Sequence, residues 1–305
     1  MADVALGELR ERMLDRAVRM SLSPEDADMV IDHFVEAEMR GATGHGVERL
    51  RWIAGRPPSD PNAGLRLVDR TEGRVRYDGA GMLGYVALMR ALETELADPP
   101  AGARLVVVSH CFPTGRLGHY AERAAEHGLV CLVSATSTAR IMHPQGGPPL
   151  LGTNPICLAL PGRPRPTVVD VSMGAVTYGA VLKAAATGRE LPGGAAAAPD
   201  GSPEHDPSAV TASRSGILPF GGELAHKGFA LALVVELLCG ALAGLDGHSA
   251  VALLASPAAA PAAPLREALD GRRFPGDTGG RALAEAQARG SVTIPDDLWE
   301  WIRAM

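Results

Sequence analysis

His45 and Arg49 stand four positions apart, a spacing that on a helix turns both side chains to one face. Arginine is shaped for bidentate capture of a carboxylate, and histidine is the side chain that trades a proton near neutral pH. The plainer reading is a helix-start histidine beside a solvated arginine, and spacing alone leaves both standing. Two rarities narrow the search. Of 29 basic residues only Lys183 and Lys227 are lysine, and the only asparagines are Asn62 and Asn154. Where arginine fills almost every cationic place, a surviving lysine suggests a need for a compact ammonium. Lys227 opens an apolar helical run just after Gly221-Gly222. The helix dipole disfavours a cation at that end, so an anionic ligand shared with the helix N-terminus would explain it. Asn154 can hydrogen-bond a bound oxygen, or simply turn the chain before Pro155. Lys183 has no motif around it and reads as a solvated helix residue.

Residues 79–84 match the pattern GxGxxG between a strand and a helix, the arrangement of a dinucleotide loop. The preceding strand, 74–78, alternates charged and apolar residues, unlike a parallel strand covered on both faces. The next strand, 105–108, runs into Ser109-His110 with no acid to hold a ribose. A plain glycine turn is the better reading. Gly115-Arg116-Leu117-Gly118 lies between a strand and a helix, where backbone N–H groups can approach a ligand closely. His110, His143, His205 and His248 form no metal-ligand spacing, and no metal is expected.

These residues need a scaffold. Helical spacing runs over 4–20, and Ser23-Pro24-Glu25-Asp26 punctuates the start of a second helix. Val47, Leu50 and Ile53 suggest a short third helix stopped by Pro57-Pro58. Residues 65–69 and 74–78 read as a hairpin, and 85–97 as a helix. Strands at 105–108, 129–133, 156–160 and 167–171 then alternate with helices at 116–127 and 175–187, an α/β pattern. Residues 188–216 read as a long irregular surface loop. The most apolar helix is 228–245, and 255–264 is an Ala/Pro connector, extended or mobile rather than packed. Helices near 281–289 and 296–304 close the chain.

At 305 residues the chain suggests two domains or one elaborated one. A net charge of −6 and 4% aromatics argue against nucleic acid as a partner. Glu236 sits in the middle of the 228–245 run, which favours a buried core helix or a subunit interface over a membrane span. Four scattered cysteines with no CxxC pair, and an N-terminus with no signal-peptide core, point to free thiols in the cytoplasm.

Four segments in order carry a resemblance. They are RGATGHGVERL at 40–50, TGRLGHY at 114–120, GTNPI at 152–156, and LPFGG at 218–222 followed by His226-Lys227-Gly228. Asp170 opening a helix, and Phe274-Pro275-Gly276-Asp277, fit as well. Together they resemble the type-2 malate/L-lactate dehydrogenase family, which includes ureidoglycolate and sulfolactate dehydrogenases and cyclic-imine carboxylate reductases. The resemblance implies an α/β, non-Rossmann, mixed-sheet fold with its N- and C-terminal helices packed together, and a homodimer. It implies NADH or NADPH as cofactor, in an extended cleft, and hydride transfer to a small 2-oxo or 2-imino carboxylate. His45 is then the proton donor, Arg49 the carboxylate anchor, and Asn154 and Lys227 further site residues. Thr114, Gly115, Arg116, Leu117, Ser172, Met173, Gly174, His226, Lys227 and Asp277 would contact the cofactor. The implied organisation is a helical, substrate and dimer region (1–110), a cofactor region (111–245), and a C-terminal segment (246–305) returning to the first.

The chain departs from the family pattern at the site itself. Gly44 replaces a serine before His45, Pro113 replaces the histidine that opens HTGRLG, and Met173-Gly174 replaces Thr-Ser. The stretch 245–275 is short and Ala/Pro-rich. Two expectations follow: a working reductase with His45 as donor, or with His110 or His119 standing in; or a fold redeployed as a non-redox enzyme or a cofactor-free binding protein.

Overall fold

The computed structural model describes residues 1–304 except 21, 57–63, 260–261 and 270. The helix stop at Pro57-Pro58, Asn62 and part of the 255–264 connector lie outside the described residues.

The chain starts with a strand, β1 (Ala2–Ala5), and runs straight into α1 (Leu6–Arg19). α2 (Pro24–Met39) begins as its sequence dictates, with Ser23 Oγ accepting the Asp26 N–H at 3.1 Å and Pro24 in the first turn. A 3₁₀ turn (Thr43–His45) and α3 (Glu48–Ala54) follow. Then come β2 (Arg66–Arg70), β3 (Arg74–Asp78), α4 (Gly84–Ala97), β4 (Ala103–Ser109), α5 (Leu117–Glu126) and β5 (Val130–Ala135). β6 (Ile141–Met142) and β7 (Pro149–Leu151) are short, while β8 (Ile156–Leu160) and β9 (Thr167–Val171) form a longer pair. α6 (Tyr178–Ala186), β10 (Ala196–Ala197), β11 (Pro203–Glu204), α7 (Pro207–Thr211) and β12 (Gly216–Ile217) lead to α8 (Ala225–Ala243). The chain ends with β13 (Ala250–Ala255), α9 (Ala262–Ala268), α10 (Asp277–Arg289), β14 (Ser291–Ile294) and α11 (Asp296–Arg303).

The central sheet is seven-stranded in the order β2-β3-β4-β13-β5-β8-β9. Within this sheet, among the described residues, only β3 and β4 pair in parallel; the other neighbours are antiparallel. β3 is therefore a parallel strand after all, with one side less covered than the other, which is why its sequence alternates. The glycines after it serve packing. A Cβ on Gly84 would lie 2.8 Å from the Pro113 carbonyl oxygen, and one on Gly79 would lie 3.0 Å from that of His110. These glycines let the turn lie against the backbone of 109–114.

Three features of the fold go beyond the local pattern. β13 is an alanine-rich stretch at the centre of the sheet, paired along its whole length with both β4 and β5. β14 pairs antiparallel with β1, and α10 and α11 pack against α2 and α1. The segment 188–216 is not an irregular surface loop. Leu191, Ala195, Ala196 and Val210 bury with Val181 and Ile217 in a separate small core, and its strands join the five-stranded sheet β11-β10-β12-β6-β7. Much of this core is alanine, whose burial carries no strong hydrophobic signal in sequence.

The run Gly222–Ala243, which includes α8, is long and apolar enough to cross a membrane by length and composition. Here one face of α8 (Ala232, Val235, Cys239) packs on the sheet with Val107 and Val251. The other face exposes Leu231, Val234, Leu237 and Leu238. All four cysteines are buried and unpaired. Burial pushes Cys111 and Cys131 up to about 12, so these thiols are inert at neutral pH.

Candidate active site

His45 and Arg49 do not share a helix. His45 ends the 3₁₀ turn, and the chain breaks at Gly46 (φ −87°, ψ −149°) before α3 begins. The break has a steric cause. Glu38 Oε2 accepts the Val47 N–H at 2.9 Å, and a Cβ on Gly46 would lie 2.0 Å from that same oxygen. The Glu38 carboxyl is pushed up to about 7 by burial, against the pull of that hydrogen bond and of Lys183. Both side chains nonetheless line one cleft of about 530 Å³. Arg49 is buried, and its Nε donates to the Gly44 carbonyl at 2.7 Å.

Gly44 explains itself in this geometry. The His45 turn lies backbone to backbone against α6, where a Cβ on Gly179 would sit 2.3 Å from the Gly44 oxygen. Any side chain at 179 would push the His45 turn away from the cleft.

Thr114, Gly115, Arg116 and Leu117 form the next wall. Three hydrogen bonds fix this loop. Tyr120 Oη donates to the Thr114 carbonyl at 2.7 Å, the Arg116 N–H to His33 Nε2 at 2.9 Å, and the Gly118 N–H to Asp170 Oδ2 at 2.7 Å. Gly115 has φ +69°, and a Cβ there would lie 2.5 Å from His33 Nε2, so only glycine fits. Behind the loop, Glu36 receives Arg116 at 2.8 Å, Arg40 at 2.5 Å and His119 Nδ1. Burial opposes its charge, but the His119 hydrogen bond and the His119, Arg116 and Arg40 charges hold Glu36 well below the usual carboxylate range.

His45 is depressed to about 3 by burial and by the charges of Arg49 and Arg116, so the free protein holds a neutral imidazole. Asp170 shifts the other way: burial raises it, and the Gly118 N–H and Arg116 only partly offset that. Asp170 lies in strand β9 and does not open a helix, so it and Ser172 face the cleft while alternate residues face away. The helix that follows starts at Tyr178, with Thr177 as its cap.

The other sequence candidates fall elsewhere. Met173 packs in the core under α8, and Gly174 pairs with Pro219; neither lines the cleft. Asn154 is fully buried beneath it, and its Nδ2 donates to the Ala232 carbonyl at 2.9 Å and to Glu236 Oε2 at 2.7 Å. It anchors α8, with φ +35° at the turn before Pro155. His226 and Lys227 are exposed on the first turn of α8 and are not among the described residues that line the His45 cleft. Asp277 lines a second groove of about 1110 Å³, which meets the first at Ala42, Arg116 and Asp170. Neither His110, which faces Asp78, nor His119, which is turned to Glu36, lines the His45 cleft. Sequence reading missed Trp52, Arg56 and Arg140 in the lining. Arg56 follows Arg49 by seven positions, a helical repeat that offered a signal; Arg140 offered none.

A mixed-sheet α/β protein with a two-part ligand cleft, one part carrying His45 and Arg49, is the class that fold and site define. The chain belongs to the malate/L-lactate dehydrogenase family, whose model matches residues 4–263. It is 29% identical to an L-sulfolactate dehydrogenase of Methanothermobacter thermautotrophicus, over 92% of this chain and 83% of that one. It is 35% identical to a delta(1)-pyrroline-2-carboxylate/delta(1)-piperideine-2-carboxylate reductase of Pseudomonas putida, over 75% of this chain and 67% of that one. Among solved structures, the delta1-piperideine-2-carboxylate reductase of Pseudomonas syringae superposes with a TM-score of 0.87 at 28% identity, covering 99% of both chains. The sulfolactate dehydrogenase of Methanocaldococcus jannaschii shares the fold, with a TM-score of 0.78.

Proposed function

We propose that this chain is a reductase that uses NADH or NADPH to deliver hydride to a small 2-oxo or 2-imino carboxylate. One observation carries the reading. His45 and Arg49 line the same cleft as the 114–117 loop and Ser172, and that cleft continues into a second, arginine-lined groove. The continuous groove fits a dinucleotide: Gly115 lets backbone approach closely, and Arg116 stands at the junction for a phosphate. Thr114, Gly115, Arg116, Leu117 and Ser172 would hold it on the near side and Asp277 on the far side. When bound, the reduced nicotinamide supplies the hydride.

Arg49 pairs with the substrate carboxylate. That negative charge offsets the arginine charge that depresses His45, and so raises the proton affinity of the imidazole. His45 then carries the proton to the oxygen or nitrogen that hydride transfer leaves basic. In the reverse direction the neutral His45 is already the base. The cleft stays open to substrate because Met173 and the 188–216 segment pack into their own cores, which favours this chemistry over redeployment.

The exposed apolar stripe of α8 supports a homodimer, with Val234 57% and Leu237 62% exposed. Lys227 and His226 open that same helix. Buried free thiols support a cytoplasmic location. Fluorescence titration with NADH and NADPH tests the central reading, and binding of neither at millimolar concentration refutes it. A screen of 2-oxo acids and cyclic imines should then show nicotinamide oxidation, and His45→Ala should abolish it. Sedimentation should give a dimer that Leu237→Glu splits.

A further inference from the structure

Lys183 is one of only two lysines in the chain, and no motif surrounds it. It lies in the last turn of α6, where a cation suits the helix dipole. Arginine serves that purpose equally and fills nearly every other cationic position, so the dipole does not explain a lysine. Its surroundings do. Lys183 follows Gly179 by four positions, so the two share one face of α6. That face lies against the 3₁₀ turn carrying His45. A Cβ on Gly44 would sit 3.2 Å from the Gly179 Cα, and one helical turn further on Lys183 Nζ donates to Thr43 Oγ1 at 3.2 Å. Among the described residues this is the one hydrogen bond of the ammonium, and no carboxylate pairs with it.

A second helix grips the same turn with a charge of opposite sign. Glu38 on α2 receives the Val47 N–H at 2.9 Å. Burial pushes its carboxyl up to about 7 and Glu48 adds to the push, while the Val47 N–H and the Lys183 charge oppose it. The turn therefore has three external holds: Lys183 at Thr43, Gly179 at Gly44 and Glu38 at Val47. All three held positions lie within two residues of His45. Neither Glu38 nor Lys183 is among the described residues that line the cleft, so both act on it through the turn.

We propose that Lys183 is a positioning residue for His45: its ammonium, hydrogen-bonded to Thr43 and facing the field of Glu38, clamps the 43–47 turn against α6. This rests on reading the His45–Arg49 cleft as the active site. A compact ammonium can follow a single hydroxyl beside two closely packed backbones, whereas the planar guanidinium fork is shaped for two-oxygen partners. A small displacement of a proton-transferring group costs rate out of proportion to stability, which gives the clamp its purpose.

Amide hydrogen exchange over residues 43–47 and steady-state kinetics, both on the full chain, test this together. Lys183→Met speeds exchange across 43–47 about tenfold. It lowers kcat about tenfold and moves the substrate KM by less than about twofold. Thermal unfolding stays at the wild-type midpoint, because Lys183 is exposed. Thr43→Val has the same effects, and the double variant is no worse than the more affected single, since both remove one contact. Lys183→Arg, which can still donate to Thr43, regains part of the lost protection and of the lost kcat. Unchanged exchange in Lys183→Met overturns the clamp, and so do losses that simply add in the double variant. Faster exchange with kcat unchanged overturns the positioning of His45. A wild-type protein that turns over no 2-oxo or imino acid refutes the reductase reading, and the exchange data by themselves then decide the clamp.

Discussion

The backbone N–H of Arg116 donates to Nε2 of His33 at 2.9 Å, which ties the 114–117 loop to a buried histidine on α2. The bond requires the tautomer with its proton on Nδ1. Burial, then the charges of His119 and Arg116, keep that ring neutral. His33→Phe leaves the Arg116 N–H without its acceptor and should cost about 1–3 kcal/mol. Urea unfolding measures the loss, and His33→Gln, which can still accept, should lose less. Equal losses in both variants would mean that packing, not the hydrogen bond, is what His33 supplies.

His45 sets a pH signature. With its free-enzyme value near 3, the imidazole is already the base at neutral pH. The kcat/KM for oxidising a 2-hydroxy acid should therefore show no histidine limb between about pH 5 and 8. A limb near 6.5 that vanishes in His45→Gln would contradict this. Stability follows the same shift. The unfolded imidazole takes a proton before the folded one does, so the contribution is full above about 6.5 and is lost as pH falls towards 3. The urea midpoint of the wild-type protein should drop more steeply over that window than that of His45→Gln.

Gly46→Ala places a methyl group 2.0 Å from Glu38 Oε2. Either the carboxylate leaves the Val47 N–H or the His45 turn shifts, at a cost of about 1–3 kcal/mol. Thermal unfolding should show the loss, and turnover should fall further than stability because His45 and Arg49 lose their relative placement. Full activity in a destabilised Gly46→Ala protein would separate the turn from the chemistry.

Asn154→Ala removes both hydrogen bonds to α8 and leaves Glu236 without its amide. A buried network broken on one side costs about 2–4 kcal/mol. The substrate KM of the surviving folded enzyme should stay within about twofold, since both Nδ2 hydrogens are committed to the helix. A large KM change at unchanged stability would return Asn154 to the substrate.

Much of the first cleft was legible in the chain. His45 and Arg49 stand out by side-chain chemistry, 114–117 by motif and Ser172 by family resemblance, and all line it. Capping of α2 was readable because Ser23 and Pro24 act on their own neighbours. β13 was not, because Ala250–Ala255 has weak local preference and becomes a strand by pairing on both edges. Rarity misled in a specific way. Asn154 is rare and indispensable to its turn, yet its amide serves α8, and Lys227 is rare and exposed.

By itself the sequence determined the family, the residue types able to bind a carboxylate and move a proton, and the helix starts that depend on adjacent residues. Tertiary structure decided which of those residues meet. His45 and Arg49 converge across a broken helix because Glu38 occupies the space beside Gly46 and Gly179 lets the turn approach α6. Arg140 joins them because Leu151, Ile217, Tyr178 and Ser213 hold it from four separate segments. Hydrogen bonds and close backbone contacts between distant segments have no local sequence period, so they become visible only once the chain is folded.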